Sequence, residues 1–191
     1  MYSTEITLQL CINTSLRFLV EIIKQSMMNN SNRVRLIDFE EQHIETYLSW
    51  FENNPQLYID TKTNEKLTLK DMSEIQKYWS ATPGLKCMLI EHMASGSLIG
   101  DVNAIHYNSM EDNEVEVNIM IALSEYRRKG YAIEALRLLE EYCKEKMGYH
   151  RCIAKIDEDN TSSISFFNKS GYSLTKHNHQ DKEYWYVKLL V

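Results

Sequence analysis

Hydrophobic and polar positions follow two periods along the chain, and together these periods predict the order of its helices and strands. Residues 33–37 alternate with the period of a strand. The next two segments have the period of a helix, with apolar positions at Ile44, Tyr47, Leu48 and Phe51, and then at Met72, Ile75 and Trp79. Thr68 and Asp71 have the spacing of a capping box at the start of the second helix, and Pro83-Gly84 predicts its end.

Three strand-like runs follow the second helix and are separated by short polar connections. They cover residues 85–92, 97–107 and 114–122. Connections of this length are typical of antiparallel neighbours, so we expect two consecutive hairpins.

A long helix is predicted between Gly130 and Gly148. Its apolar stripe consists of Ala132, Ala135, Leu136, Leu139 and Cys143. Residues 151–156 then read as another strand. Glycine is the usual residue just beyond the end of a helix, and Gly148 has that position here.

The last part of the chain predicts a short helix and a closing hairpin. Asn160 is the expected N-cap of the helix, and Gly171 its expected end. We expect a turn at the polar residues 176–182 and a strand at 183–190. The predicted fold class is therefore α/β (α+β), one domain with a mixed, mostly antiparallel central sheet flanked by helices.

Composition and charge narrow the classes of function. The chain has 191 residues, with 21 Lys and Arg against 27 Asp and Glu, a formal net charge of −6. This balance argues against a nucleic-acid partner, since a general nucleic-acid binder needs a broad basic surface. No stretch reaches the ~18 apolar residues that would span a membrane, so we expect no membrane partner.

The four cysteines are scattered without a C-x-x-C pair, at Cys11, Cys87, Cys143 and Cys152. We interpret them as small buried side chains in a reducing, cytoplasmic compartment. His177 and His179 form an H-x-H pair in the polar turn, but no third ligand is nearby, so we expect no metal.

Residues 1–32 are interpreted as an N-terminal extension and residues 33–191 as the domain. Within the extension, Leu16 to Met28 is apolar but carries charged residues, which favours an amphipathic helix.

The most unusual local feature is a run of cations at the start of the long helix. Arg127, Arg128 and Lys129 directly precede Gly130. A helix N-terminus presents unpaired N–H groups and the positive end of the helix dipole, so this turn predicts an anion site, with phosphate the commonest occupant. A solvated basic turn is the alternative. The Walker and dinucleotide patterns are both absent.

Two motifs identify a family resemblance. A strand followed by Arg127-Arg128-Lys129-Gly130-Tyr131-Ala132 and a helix resembles the acetyl-CoA signature [QR]-x-x-G-x-[GA] of the GNAT superfamily of N-acetyltransferases. A second family motif has its counterpart in Asn160, Ser163, Phe167, Gly171 and Tyr172. The resemblance covers about residues 33–191 and implies a single GNAT-type domain.

Stretches outside this signature resemble the N-acetyltransferase-9-like branch of the superfamily. They are residues 33–43, 47–51, 65–79, 86–90 and 99–103. The branch implies a protein or peptide amine as the acceptor, with the N-terminus of tubulin as the candidate.

The resemblance also implies which residues bind acetyl-CoA, the acetyl donor. Backbone N–H groups from Arg128 through Lys129, Gly130 and Tyr131 to Ala132 would hold the pyrophosphate, flanked by the side chains of Arg127 and Arg128. The pantetheine arm would pair with the end of the preceding strand, at Ile119, Met120, Ile121 and Ala122. On the other side of the arm, near the thioester, the resemblance places Asn160 and Phe167.

Glu116 is the candidate catalytic base. Glu114, Glu116 and Asn118 share one face of their strand, and Glu116 has the position of a catalytic glutamate in some superfamily members. Transfer of an acetyl group needs a neutral amine, and amines are largely protonated at pH 7, so a base assists. A solvated strand face is the alternative, and Glu114, Asp101 and His106 are further candidates.

The sequence does not identify the general acid that would protonate the leaving thiolate. Many relatives carry a tyrosine where this chain has Phe167, which has no proton to donate. Tyr131 and Tyr172 are near in sequence.

The leading hypothesis is an acetyl-CoA-dependent N-acetyltransferase that acts on a primary amine, with a protein N-terminus as the expected acceptor. A non-catalytic protein on a GNAT scaffold that binds a partner such as microtubules is the second. A small-molecule amine acetyltransferase is the third.

Overall fold

The computed structural model describes residues 32–61, 63, 65–107 and 109–190. The predicted helix at Leu16–Met28 and Cys11 lie outside these residues, and the division of the chain at residue 32 stays a prediction.

The elements follow the predicted order. The strands are β1 (Val34–Asp38), β2 (Leu85–His92), β3 (Ser97–Ile105), β4 (Glu114–Ile121), β5 (Arg151–Asp157), β6 (Ser173–Asn178) and β7 (Glu183–Leu189). The helices are α1 (Ile44–Asn53), α2 (Gln56–Asp60), α3 (Leu69–Ala81), α4 (Tyr131–Glu145) and α5 (Thr161–Lys169), with 3-10 turns at Glu41–His43 and Ser124–Tyr126. The short helix α2 was not predicted.

The described strands form one sheet in the order β1-β2-β3-β4-β5-β7-β6. Neighbours are antiparallel except for β4 and β5, which are parallel. The two hairpins β2–β3 and β3–β4 are confirmed, as is the mixed, mostly antiparallel sheet.

The parallel pair β4–β5 is short. Its register covers Glu114 to Glu116 of β4 against Arg151 to Ile153 of β5. Strand β4 continues to Ile121 and β5 to Asp157 without further pairing between them in the described sheet. The two strands therefore separate beyond Glu116, which opens a cleft in the middle of the sheet.

Each face of the sheet has its own hydrophobic core. Helices α4 and α5 cover one face, where Val102, Val115 and Val117 are fully buried against the apolar stripe of α4. Helices α1 to α3 cover part of the other face, where Leu89 packs with Phe51 and Met72. Burial of apolar side chains on both faces is the main stabilising contribution.

Local signals positioned the helices as expected. The hydroxyl of Thr68 accepts from the amide of Asp71, and the Asp71 carboxylate accepts from the amide of Thr68, which confirms the capping box of α3. The side chain of Asn160 accepts from the amide of Ser163, which confirms the cap of α5.

The polar stretch at residues 176–182 was predicted as a turn, and this prediction was wrong in its first half. Strand β6 extends to Asn178, and His177 pairs with Tyr184 of β7. Strand β6 is at the edge of the sheet, and most of its residues are exposed. Polar side chains are therefore compatible with a strand at this position.

Candidate active site

The basic turn forms a left-handed loop ahead of α4. Arg128 has φ +57° and Gly130, the N-cap of α4, has φ +88°. Gly130 is exposed, and the amides of Ile133 and Glu134 bind its carbonyl. The residues of the loop therefore precede the first bonds of the helix, at the positive end of its dipole, which is the arrangement of a phosphate site.

Aromatic side chains support this loop from the sheet side. The hydroxyl of Tyr131 lies 3.2 Å from Nε2 of His92 at the end of β2. Tyr126 completes the cluster, with its ring centre 5.1 Å from that of His92 and 5.7 Å from that of Tyr131. These contacts direct the Tyr131 side chain towards the sheet and hold the loop in place.

Arg127 makes a different contact from the one that the family resemblance implied. Its Nε donates to the carbonyl of Ile121 at 2.8 Å, and one terminal nitrogen lies 3.4 Å from the carbonyl of Ala122. The side chain thus ties the loop to the end of β4. Arg128 and Lys129 remain the cations whose charge can face an anion across the turn.

The end of β4 is engaged with β3. The amide of Ala122 donates to the carbonyl of Ile99 at 2.8 Å. A Cβ at Gly100 would overlap the carbonyl oxygen of Met120, so β3 and β4 approach closely there. Met120 also directs its carbonyl towards Gly100 of β3, and the Ile121 carbonyl is bound by Arg127. Ile119 is therefore the stronger candidate to pair with a ligand in the cleft.

Glu116 lies at the point where β4 and β5 separate. It is buried, and its Oε2 is 2.7 Å from Nζ of Lys155 on β5. The side-chain amide of Asn118 is 3.4 Å from its other oxygen. The alternative of a solvated strand face is wrong for this residue, since Glu116 is only 8% exposed and its carboxylate pairs with Lys155.

Glu114, a weaker candidate, is bound in the closed part of the sheet. It forms an ion pair with Arg151 at 2.5 Å and is also buried. Its strand partner is Arg151 itself, within the paired stretch of β4 and β5. The two glutamates thus share a strand face but differ in their distance from the cleft.

Three side chains near Glu116 were not predicted from the sequence, namely those of Lys155, Tyr107 and Trp185. Nζ of Lys155 lies 5.3 Å from the ring centre of Tyr107 and 4.9 Å from that of Trp185. Burial, and then the charge of Glu116, raise the pKa of Tyr107 above its ordinary value. The strand alternation in residues 184–186 could have placed Trp185 on the face opposite to Tyr184 and Tyr186.

Tyr131 and Tyr172 do not fill the role of an acid beside Glu116. The Tyr131 hydroxyl contacts His92. Tyr172 is buried beside Glu140 and Cys152, and that burial raises the pKa of its hydroxyl. Tyr107 is therefore the tyrosine that the structure brings into the electrostatic environment of Glu116.

Phe167 belongs to the core under α5. It is buried, and its ring packs edge-on against Phe166 and Tyr172, with centres 5.0 Å apart in both cases. The side-chain oxygen of Asn160 caps α5. Both residues stand on α5 or at its start, and their contact with a ligand stays a prediction.

Asp101 is a buried carboxyl on β3, in register with Met120 of β4. Oδ2 accepts from the side chain of Asn103 at 2.9 Å, whereas Oδ1 has no hydrogen-bond partner among the described residues. Burial raises the pKa of Asp101 to about 7, opposed in part by the bond from Asn103. It is 3% exposed, and its strand partner Met120 lies four residues beyond Glu116 along β4, away from the point where β4 and β5 separate.

Asp101→Asn is expected to stabilise the protein at alkaline pH. The folded-state pKa of Asp101, about 7, exceeds the ordinary value of 3.8. The contribution of the neutral carboxyl to the free energy of unfolding is therefore complete below pH 3.8, and it is lost as pH rises through 7. A shift of this size corresponds to at most ~4 kcal/mol. Urea unfolding at pH 5 and pH 8 should show that the advantage of the variant grows with pH; a constant difference would contradict the prediction.

The remaining candidates have structural contacts. His106 lies 2.8 Å from the carbonyl of Glu114 and stacks on Tyr149, which agrees with a satisfied structural histidine. Cys87, Cys143 and Cys152 are buried thiols, as predicted. Among the described residues there is no group of three His, Cys, Asp or Glu side chains placed to hold a metal ion.

The sheet that opens beyond Glu116, with a cationic loop at the head of the following helix, is the architecture of an acetyltransferase. Residues 33–173 match the family described as "Acetyltransferase (GNAT) domain". The chain therefore belongs to the GNAT acetyltransferase family and is an N-acetyltransferase, as the resemblance predicted.

Relatives within this family carry a common description. An "N-acetyltransferase 9-like protein" of Nematostella vectensis is 31% identical over 153 residues, which cover 74% of this chain and 75% of the relative. The "Alpha/beta-tubulin-N-acetyltransferase 9" of Mus musculus is 29% identical over 159 residues, or 77% of this chain and 64% of the mouse protein. The predicted relation to the N-acetyltransferase-9-like branch is confirmed.

Solved structures show the same fold at low identity. A spermidine N-acetyltransferase from Vibrio cholerae, solved with CoA and spermine, has a TM-score of 0.71 and 16% identity. The match covers 83% of this chain and 96% of that chain. No helix among the described residues has the length and apolar character needed to cross a membrane.

Proposed function

We propose that this N-acetyltransferase uses acetyl-CoA to acetylate a primary amine at a protein N-terminus, with tubulin as the candidate acceptor. The observation that supports a transfer site is Glu116, a buried carboxylate at the point where β4 and β5 separate, with the phosphate-type loop ahead of α4 at the other end of β4. Acetyl-CoA would supply an activated acetyl group as a thioester.

The residues present fit that donor. Arg128 and Gly130 adopt the left-handed conformations that turn backbone amides towards one side of the loop, and Arg128 and Lys129 add positive charge for a pyrophosphate. Ile119, on the part of β4 that has parted from β5, is the proposed main-chain partner of the pantetheine arm.

Glu116 is proposed to accept a proton from the acceptor amine, directly or through water. A carboxylate there favours the approach of an ammonium group, and it can accept the proton that the amine must lose before it attacks the thioester. Tyr107 is the proposed proton donor to the leaving thiolate, because its ring lies 5.3 Å from the ammonium group that pairs with Glu116, whereas Phe167 carries no proton.

The protein acceptor is supported by the mouse relative, which is named as a tubulin N-acetyltransferase. A cytoplasmic location is part of this proposal, since tubulin is a cytoplasmic protein. A small amine is the competing acceptor; the spermidine enzyme of similar fold shows how the same scaffold can serve one.

Acetylation of matched peptides would test the acceptor class. The protein is incubated with deuterated acetyl-CoA and three probes: a tubulin N-terminal peptide, the same peptide with a blocked α-amine, and spermidine. We expect mass spectrometry to find the label on the α-amine of the free peptide.

Two results would contradict the proposal. Label on spermidine alone would assign the protein to small-amine acetylation. Equal labelling of the free and the α-blocked peptide would show that lysine side chains, rather than the N-terminus, are the acceptors.

A further inference from the structure

The ammonium group of Lys155 lies in a site built from three parts of the chain. Its Nζ is 2.7 Å from Oε2 of Glu116, 4.9 Å from the ring centre of Trp185 and 5.3 Å from that of Tyr107. Glu116 comes from β4, Trp185 from β7, and Tyr107 from the connection after β3. One carboxylate and two aromatic faces thus converge on one cation.

This combination has the chemistry of an alkylammonium site. Aromatic faces attract a cation within about 6 Å of the ring centre, more strongly where water is partly excluded. The Lys155 side chain is 25% exposed and that of Glu116 is 11% exposed, so the ion pair is partly shielded from solvent, while Tyr107 lies at its exposed rim. Lys155 Nζ is itself a primary alkylammonium, the protonated form of the acceptor that an N-acetyltransferase requires.

The location separates this ion pair from an ordinary cross-strand pair. Glu114 and Arg151 face each other where β4 and β5 are hydrogen-bonded. Lys155, in contrast, reaches Glu116 from the part of β5 that has already left β4. Its flexible stem can therefore leave Glu116 by rotating, without breaking a pair between these two strands.

We propose that Glu116, Tyr107 and Trp185 form the subsite for the acceptor's ammonium group, and that Lys155 fills this subsite until the acceptor displaces it. The assignment of the bound amine as the acceptor rests on the proposed function. Glu116 then meets the substrate as an ammonium, and Lys155 acts as an internal competitor that disfavours weakly bound amines.

A binding experiment without acetyl-CoA tests the subsite. The side chain of Lys155 is removed in Lys155→Ala, and n-propylammonium chloride is titrated while the melting temperature and tryptophan fluorescence are recorded. Sodium chloride at equal ionic strength and n-propanol are the controls. We expect a saturable rise in melting temperature with propylammonium only, with affinity about tenfold above that of the wild type, since the competitor is gone.

Two further variants make the result specific. Lys176→Ala is the matched control: Nζ of Lys176 lies 4.1 Å from the ring centre of Trp185, so its loss also exposes that ring. It should respond to propylammonium like the wild type. Glu116→Gln combined with Lys155→Ala should abolish the response. Lys155→Val, which suits a strand, replaces Lys155→Ala if the latter does not fold.

An equal response of the wild type, Lys155→Ala and Lys176→Ala would overturn the subsite, and so would a response that survives Glu116→Gln. Because no acetyl donor is present, these outcomes are independent of the acetylation assay. If acetyl transfer is absent but propylammonium still binds, the proposed function is contradicted, whereas the cation site is still supported.

Discussion

Replacing Glu116 with glutamine is expected to lower kcat by roughly 10²–10⁴, the usual contribution of a positioned base. Glutamine keeps the size and polarity of the side chain but removes its basicity and its charge towards Lys155. The affinity for acetyl-CoA should change little, because Glu116 is at the opposite end of β4 from the basic loop. Steady-state kinetics with an acceptor amine, and the melting temperature with acetyl-CoA, measure the two effects.

Glu114→Gln is the matched control for this prediction. It makes the same substitution on the same strand face and also removes the ion pair of a buried glutamate, here with Arg151. We expect it to cost stability but to retain most of kcat. A similar loss of activity in both variants would show that the sheet needs its ion pairs and that Glu116 has no special role.

The pH dependence provides a second control. Free amine becomes available without a base as pH approaches the pKa of the acceptor, so the deficit of Glu116→Gln should shrink as pH rises. A protein that has lost its structure would be inactive at every pH. Full activity of Glu116→Gln at pH 7 would remove Glu116 from the mechanism.

Contacts between residues that are close together in the chain could be predicted from the sequence. The loop from Arg127 to Ala132 and the start of α4 are next to each other in the chain, so their charge, glycine and helix signals could be combined directly. The capping box of α3 has the same local origin. The two hairpins β2–β3 and β3–β4 could also be predicted, because short connections join antiparallel neighbours.

Contacts between side chains on different strands of the sheet could not be predicted from the sequence. Lys155 meets Trp185 because β5 and β7 pair in that register, and it meets Glu116 because β4 and β5 separate just beyond that residue. A strand pattern gives the face on which a side chain lies but not its neighbours on other strands. The two glutamates of β4 therefore looked alike in the sequence, although one borders the cleft and the other does not.

The side chain of Arg127 shows a different limit. Its charge suggested a role in anion binding, whereas its guanidinium binds the carbonyls of Ile121 and Ala122. Arginine has several donors that suit backbone carbonyls as well as phosphates. The position of the end of β4 relative to the loop decides which of these partners the arginine binds. That position depends on the tertiary structure and cannot be read from the local sequence.

Gly130→Asp is expected to abolish stabilisation by acetyl-CoA. In the wild type, a donor at 100 times its Kd would raise the free energy of unfolding by about 2.7 kcal/mol through mass action. Aspartate would place a negative charge and a side chain at the exposed N-cap of α4, where we propose that the pyrophosphate binds. The strain of an aspartate at φ +88° is about 1 kcal/mol, which is small beside the burial of the apolar stripe of α4, so the helix itself should still form. Thermal unfolding with and without acetyl-CoA measures the difference.

Gly148→Asp separates backbone strain from loss of the ligand. Gly148 has φ +78° against +88° for Gly130, so an aspartate costs a similar amount of conformational free energy, about 1 kcal/mol, at either glycine. Gly148 follows the opposite end of α4, and a Cβ there would meet no heavy atom within 4 Å among the described residues. Both variants should therefore melt below the wild type, but Gly148→Asp should retain the full rise with acetyl-CoA. A preserved rise in Gly130→Asp would mean that the anion binds away from the N-terminus of α4, and the phosphate role of the loop would have to be abandoned.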